Sequence, residues 1–141
     1  MSIQSKETEI EEEFALFDDW TGKYEYLIDQ GRALPLIEER LKDDEHLIHG
    51  CQSRVWLDAR YENGNMYYFA DSDAQIPKGI VSLLVRVLSG EKPEDIVNAD
   101  LSFIDRIGLK EHLSPTRSNG LVSMVKQMKL FALIHTTEKH D

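Results

Sequence analysis

The chain changes its hydrophobic period at Ser53, and that change constrains the fold more than any other feature. From there Val55, Leu57, Ala59 and Tyr61 alternate with Arg54, Trp56, Asp58 and Arg60, the period-two pattern of a strand with one buried face. Asn63-Gly64 follows, and Met66-Tyr67-Tyr68-Phe69-Ala70 returns. Asn-Gly tolerates the positive φ angles that a two-residue hairpin turn demands, so the two segments pair antiparallel. Leu47-Ile48-His49 is read as a third, short strand.

Helical signals flank this sheet. Thr8–Asp18 carries Ile10, Phe14, Leu16 and Phe17 as an apolar stripe, with Glu7, Glu9, Glu11, Glu12 and Glu13 placed where a helix N-terminus favours acids. Asp19 or Thr21 caps a second helix through Tyr24, Leu27 and Ile28, which Gly31 stops. Leu34-Pro35-Leu36 leads to a short helical turn and a charged loop, KDDEH. From Ile76 to Ser89 the residues Ile80, Val81, Leu83, Leu84, Val85, Val87 and Leu88 are apolar nearly all round. This is therefore the central helix of the core, with Pro77 in its first turn and Gly90 closing it. Pro93 opens a short helix, and after the loop KEHLSPTRSNG a long one shows Leu121, Met124, Val125 and Met128 at helical spacing. The expected class is α+β: a small three-stranded antiparallel sheet with helices packed on one face, in a single domain spanning 1–141.

The net charge of −10 argues against a nucleic-acid binder, which would present a basic face, and against anionic membrane surfaces. It serves solubility, or steers the chain toward a basic patch on a partner. No apolar run approaches the ~20 residues of a membrane span. The acidic start MSIQSKETEIEEE lacks a signal-like core, so a cytoplasmic location is expected.

One cysteine, Cys51, excludes an internal disulfide, a CxxC dithiol and a thiolate cage for zinc or an iron–sulfur cluster. His46, His49, His112, His135 and His140 show no metal-ligand spacing, and no metal site is expected. A lone cysteine is commonly a small buried hydrophobe. Here it stands in His49-Gly50-Cys51-Gln52-Ser53-Arg54, where Gly50 permits a tight turn and close approach of another surface. Gln52 and Ser53 are poor core neighbours. Such a loop tip is where a reactive thiol meets another molecule, and Arg54, His49 and His46 nearby would favour its thiolate.

These residues carry a family resemblance. GCQSRVWL resembles the cysteine loop of the SufE family, DSDAQIPKGIVSLLVRVLSG its second motif and LSPTRSNGLVSMVKQM its third, and WTGKYEYLIDQGRALP is similar to the region upstream. The match runs through nearly the whole chain in order. Pro77 departs from it, standing where an aliphatic residue is expected. The resemblance implies a SufE/IscU-like fold and a non-enzymatic role. Cys51 would take persulfide sulfur from a cysteine desulfurase (SufS-like) and relay it to an iron–sulfur scaffold complex (SufBCD-like). No cofactor is implied on this chain, because the pyridoxal phosphate belongs to the desulfurase. A monomer or weak homodimer is expected.

The other motif residues divide between structure and function. Gly50, Gln52, Ser53, Arg54, Asp71, Asp73, Arg117, Ser118 and Gly120 support the loop or bind the partner. Trp56 is a contact aromatic or a cap over the helices. Asp71 and Asp73 are spaced to cap the core helix, and Gly120 permits close packing at the last helix. Arg117 is a solvated loop residue, or faces the thiol or partner. Two other readings compete: a small thiol enzyme with Cys51 as nucleophile and a histidine base, and a regulatory binding module that carries no sulfur.

Overall fold

The computed structural model describes residues 2–138, with side chains to Thr136; His140 lies outside them. Helix α1 (Ile3–Phe14) is capped by Ser2, whose Oγ accepts from Ser5 N. Helix α2 (Trp20–Arg32) is capped by Asp19, which accepts from Gly22 N. Strands β1 (Val55–Glu62) and β2 (Asn65–Ser72) follow, then α3 (Gln75–Leu88), α4 (Pro93–Asn98), the single turn α5 (Phe103–Arg106) and the long α6 (Pro115–Glu138).

The hairpin forms as its sequence requires. Asn63 and Gly64 both adopt positive φ (53° and 86°), the combination of a type I′ turn. Pairing then runs from Glu62↔Asn65 to Val55↔Ser72. This register puts Val55, Leu57, Met66, Tyr68 and Ala70 on one face, all buried. α3 and α6 cover that face. Tyr68 secures the second contact, its hydroxyl donating to Met128 O at 2.7 Å. Along α3, Ile80, Val81, Leu83, Leu84, Val85, Val87 and Leu88 are at most 1% exposed. At about 1.5–3 kcal/mol for each fully buried side chain of this size, this helix is the main apolar contributor to the core.

Among the described residues the sheet has two strands, not the expected three. Leu47 makes a lone bridge to Trp56 and Ile48 N donates to Val55 O at 2.8 Å. Pairing then ends because the chain turns away at Gly50, with φ +96°. Loops cover the far edge of β2. Ala70 exchanges bonds with Pro35 and Ile37, and Met66 with Gly90 and Glu91.

Helix limits also differ from expectation. α1 begins and ends earlier, leaving Leu16 79% exposed in the turn before Asp19. Its acids do not serve the helix N-terminus; they meet arginines from other helices. Glu9 and Glu13 pair with Arg86, and Glu7 and Glu11 with Arg106. Gly31 does not stop α2 but lies buried within it, against α3. A Cβ on the facing Gly79 would stand 2.3 Å from Leu27 O, so the two helices cross nearly backbone to backbone. α6 starts at Pro115, and Arg117, Ser118 and Gly120 are therefore helical rather than in a loop. Ser114 opens this helix, its Oγ accepting from Arg117 N at 3.3 Å, with proline at the first helical position, where a missing N–H costs nothing.

Candidate functional site

Cys51 lies on the loop between Ile48 and β1, half-buried against α6. Two glycines make that docking possible. The positive φ of Gly50 directs its Cα onto α6 so closely that a Cβ would lie 2.4 Å from Ser123 Oγ. On the helix side, a Cβ at Gly120 would lie 3.3 Å from Cys51 Sγ and 3.7 Å from its Cα. The thiol points along this gap, 3.7 Å from Gly120 O.

A cavity of about 60 Å³ adjoins the sulfur. Its walls are Cys51, Gln52 and Ser53 from the loop, Pro77 and Ile80 from α3, and Thr116, Arg117, Gly120 and Met124 from α6. Pro77, the one departure from the motif, is thus a wall of the thiol site. The space accommodates an atom the size of sulfur beyond Sγ. Burial among these groups raises the Cys51 pKa above its usual value. The cations near it in sequence do not offset this: burial is the cause, the sulfur facing a carbonyl oxygen and apolar side chains. Such a thiol is chemically quiet while the loop stays docked.

The loop is secured at its ends. At the upstream end are the Ile48–Val55 bond and the Leu47–Trp56 bridge. Downstream, Arg54 N donates to Asp73 Oδ1 at 3.0 Å, Ser72 Oγ to Arg54 O at 2.7 Å, and Asp73 N to the same oxygen at 3.2 Å. Among the described residues, no backbone hydrogen bond joins residues 49–53 to α3, α6 or either strand. The segment is therefore a flap, held by backbone bonds at its two ends, the hinges, and between them by packing on α6.

Of the residues singled out in the sequence, Cys51, Gln52, Ser53, Arg117 and Gly120 meet around one cavity, Gly50 docks the flap, and Arg54 and Asp73 form its downstream hinge. Neither aspartate caps α3. Its N-cap is Ala74, without a side-chain bond, because Asp73 is committed to Arg54 N and Asp71 to Ser72 N and two lysine side chains. Asp71 is buried, with Lys42 Nζ at 2.5 Å, Lys78 Nζ at 3.2 Å and Ser72 N at 2.8 Å. Burial alone would raise its pKa; the bonds from Lys42, Ser72 N and Lys78 bring it below the usual carboxylate range.

Trp56 sits across the pair from Asp71, on the sheet face away from the helices, with Lys42 Nζ 5.6 Å from its ring centroid. It neither lines the thiol cavity nor caps α3 or α6. Ser118 also lies apart from the thiol, donating to Lys110 O at 3.2 Å. Lys42 and Ser123 were not anticipated. Ser123 was within reach, lying one turn beyond Gly120 on the same helix, but Lys42 stands in a charged loop with no local signal. Among the described residues, no group of three or more His, Cys, Asp or Glu side chains is placed to hold a metal ion.

The family model for SufE, a domain associated with Fe–S metabolism, matches residues 8–132. A SufE-like protein of Rhizobium etli is 39% identical over 126 residues, covering 86% of this chain and 85% of its own length. One from Synechocystis is 37% identical, covering 88% and 78%. The chloroplastic/mitochondrial SufE-like protein 1 of Arabidopsis thaliana is 38% identical across 93% of this chain, which spans 36% of that longer protein. A Thermus thermophilus protein solved in solution has the same fold, with a TM-score of 0.77 over 94% of this chain and 96% of that one at 22% identity. The thiol flap, its two glycines and the cavity wall from α6 all fall inside the matched span, and the chain belongs to the SufE family.

Proposed function

We propose that this protein accepts sulfur from a pyridoxal-phosphate-dependent cysteine desulfurase and relays it to an iron–sulfur scaffold complex, with Cys51 as the carrier. The observation that carries this reading is the sole thiol, held on a two-hinged flap beside a cavity with room for one more sulfur. Cys51 gives up its proton and attacks the terminal sulfur of the donor's persulfide. A new S–S bond forms on Cys51, the donor's S–S bond breaks, and the donor cysteine leaves as thiolate and takes up the proton. One sulfur and one proton change places, so no external oxidant or reductant is needed. The pyridoxal phosphate stays with the desulfurase.

The docked and undocked flap have complementary uses. Docked, the raised pKa keeps the Cys51 thiol protonated and slow toward electrophiles, and the cavity walls keep stray thiols from its persulfide. Undocked, the sulfur regains solvent, ionises more readily and reaches the donor. A partner that contacts only the open flap shifts the population toward it. The thiol-enzyme reading is less well supported, since among the described residues no histidine or carboxylate lines the cavity.

Intact-mass analysis after incubation with a desulfurase and L-cysteine tests the carrier reading. The expected product is the chain plus one sulfur atom, absent in Cys51→Ser. If Cys51→Ser stimulates the desulfurase as fully as the parent, the protein is a regulator and not a carrier.

A further inference from the structure

The two hinges of the thiol flap converge on one buried carboxylate. The downstream hinge is Ser72–Asp73, which donates two bonds to Arg54 O and accepts one from Arg54 N. The residue before it is Asp71, whose Oδ1 accepts from Ser72 N at 2.8 Å and so fixes the backbone where β2 ends. The same Oδ1 lies 3.2 Å from Lys78 Nζ. Lys78 directly follows Pro77, a wall of the thiol cavity. The other oxygen, Oδ2, lies 2.5 Å from Lys42 Nζ. Lys42 also pairs with Glu39 at 2.8 Å and lies over the Trp56 ring. It starts the short segment that leads through the Asp43–His46 turn into Leu47 and Ile48, the upstream hinge.

We propose that Asp71 is the positioning residue that sets how readily the flap opens, acting through both hinges at once; this rests on the reading of Cys51 as the reactive thiol. Asp71 touches neither the thiol nor the cavity. It ties the end of β2, the first turns of α3 and the residue-42 segment into one anchor that holds both ends of the flap while its middle docks on α6. Neutralising it leaves two ammonium groups facing each other and loosens both hinges together. The open form then becomes more populated while the core, built elsewhere, stays formed.

The test is the rate at which a small neutral maleimide alkylates Cys51 in the folded protein, with no sulfur donor present. At low reagent this rate follows the open population. Asp71→Asn and Lys42→Gln are each expected to react about tenfold faster than the parent, equivalent to about 1.4 kcal/mol. Arg86→Gln is the control. It breaks the remote cluster of Arg86 with Glu9, Glu13 and Gln30, lowers thermal stability, and should be alkylated at the parental rate. Parental rates in both test variants overturn the proposal, as does an equal acceleration in Arg86→Gln, which would make general loss of stability the cause. If Asp71→Asn does not fold, Lys42→Gln decides the matter alone. Because no donor is involved, a failed mass experiment with an accelerated Asp71→Asn would discard the carrier and keep the flap.

Discussion

Gly120→Ala sets two effects of opposite sign against each other. In a helix interior alanine is more favourable than glycine by about 0.8–1.0 kcal/mol, and Gly120 lies inside α6. Against this, the new Cβ would lie 3.3 Å from Cys51 Sγ, 3.7 Å from its Cα and 3.8 Å from its Cβ. Optimal contacts between such atoms fall at about 3.5–4.0 Å, so the backbone already fits and only the sulfur must move, by a few tenths of an ångström. A flap without backbone bonds to its surroundings yields that distance at small cost, losing the weak S–H contact to Gly120 O. The helix term therefore wins. Stability should rise by about 0.5 kcal/mol, or a Tm higher by about 1–3 °C, while the displaced thiol is alkylated faster than in the parent. A thermal scan and a maleimide time course on one preparation check both halves. A Tm lowered by several degrees with unchanged alkylation would mean that α6 yields and the flap does not, and would refute the account of the docking.

Three further outcomes follow from the same geometry. Gly50→Ala should do the reverse to stability, because it combines a left-handed backbone costing roughly 1–2 kcal/mol with a Cβ 2.4 Å from Ser123 Oγ; a lower Tm with faster alkylation is expected, and an unchanged Tm would contradict it. Burial holds the Cys51 pKa above its usual value, so the pH midpoint of alkylation should lie above the usual thiol range and return toward it in Gly50→Ala. As pH rises through the unfolded thiol's pKa the unfolded chain ionises first, and this group's contribution to stability then declines until the folded thiol also ionises; a midpoint at or below the free-thiol value in the parent counts against the docked flap. Arg117→Ala removes an exposed side chain at the cavity mouth; Tm should hold, while persulfide uptake in the mass assay drops several-fold. Full uptake would return Arg117 to a solvated surface residue.

Local rules sufficed wherever neighbouring residues decide the outcome. Asn63-Gly64 with its alternating flanks dictated the hairpin, its register and its buried face, because turn dihedrals and side-chain alternation are short-range properties. The apolar run in α3 marked the core helix for the same reason, and Gly50 beside Cys51 marked a thiol at a tight turn. Tertiary contacts decided the rest. A third strand was suggested by Leu47-Ile48-His49, but the docking of Gly50 on Ser123 turns the chain away after one bridge. Asp71 and Asp73 are well spaced for capping, yet the fold brings other donors to them, two ammonium groups from Lys42 and Lys78 to Asp71 and Arg54 N to Asp73. The cations near the thiol in sequence do not decide its protonation. What governs it is the side chains that surround it in space, Pro77 and Ile80 from one helix and Met124 from another, and their approach is set by how the helices pack.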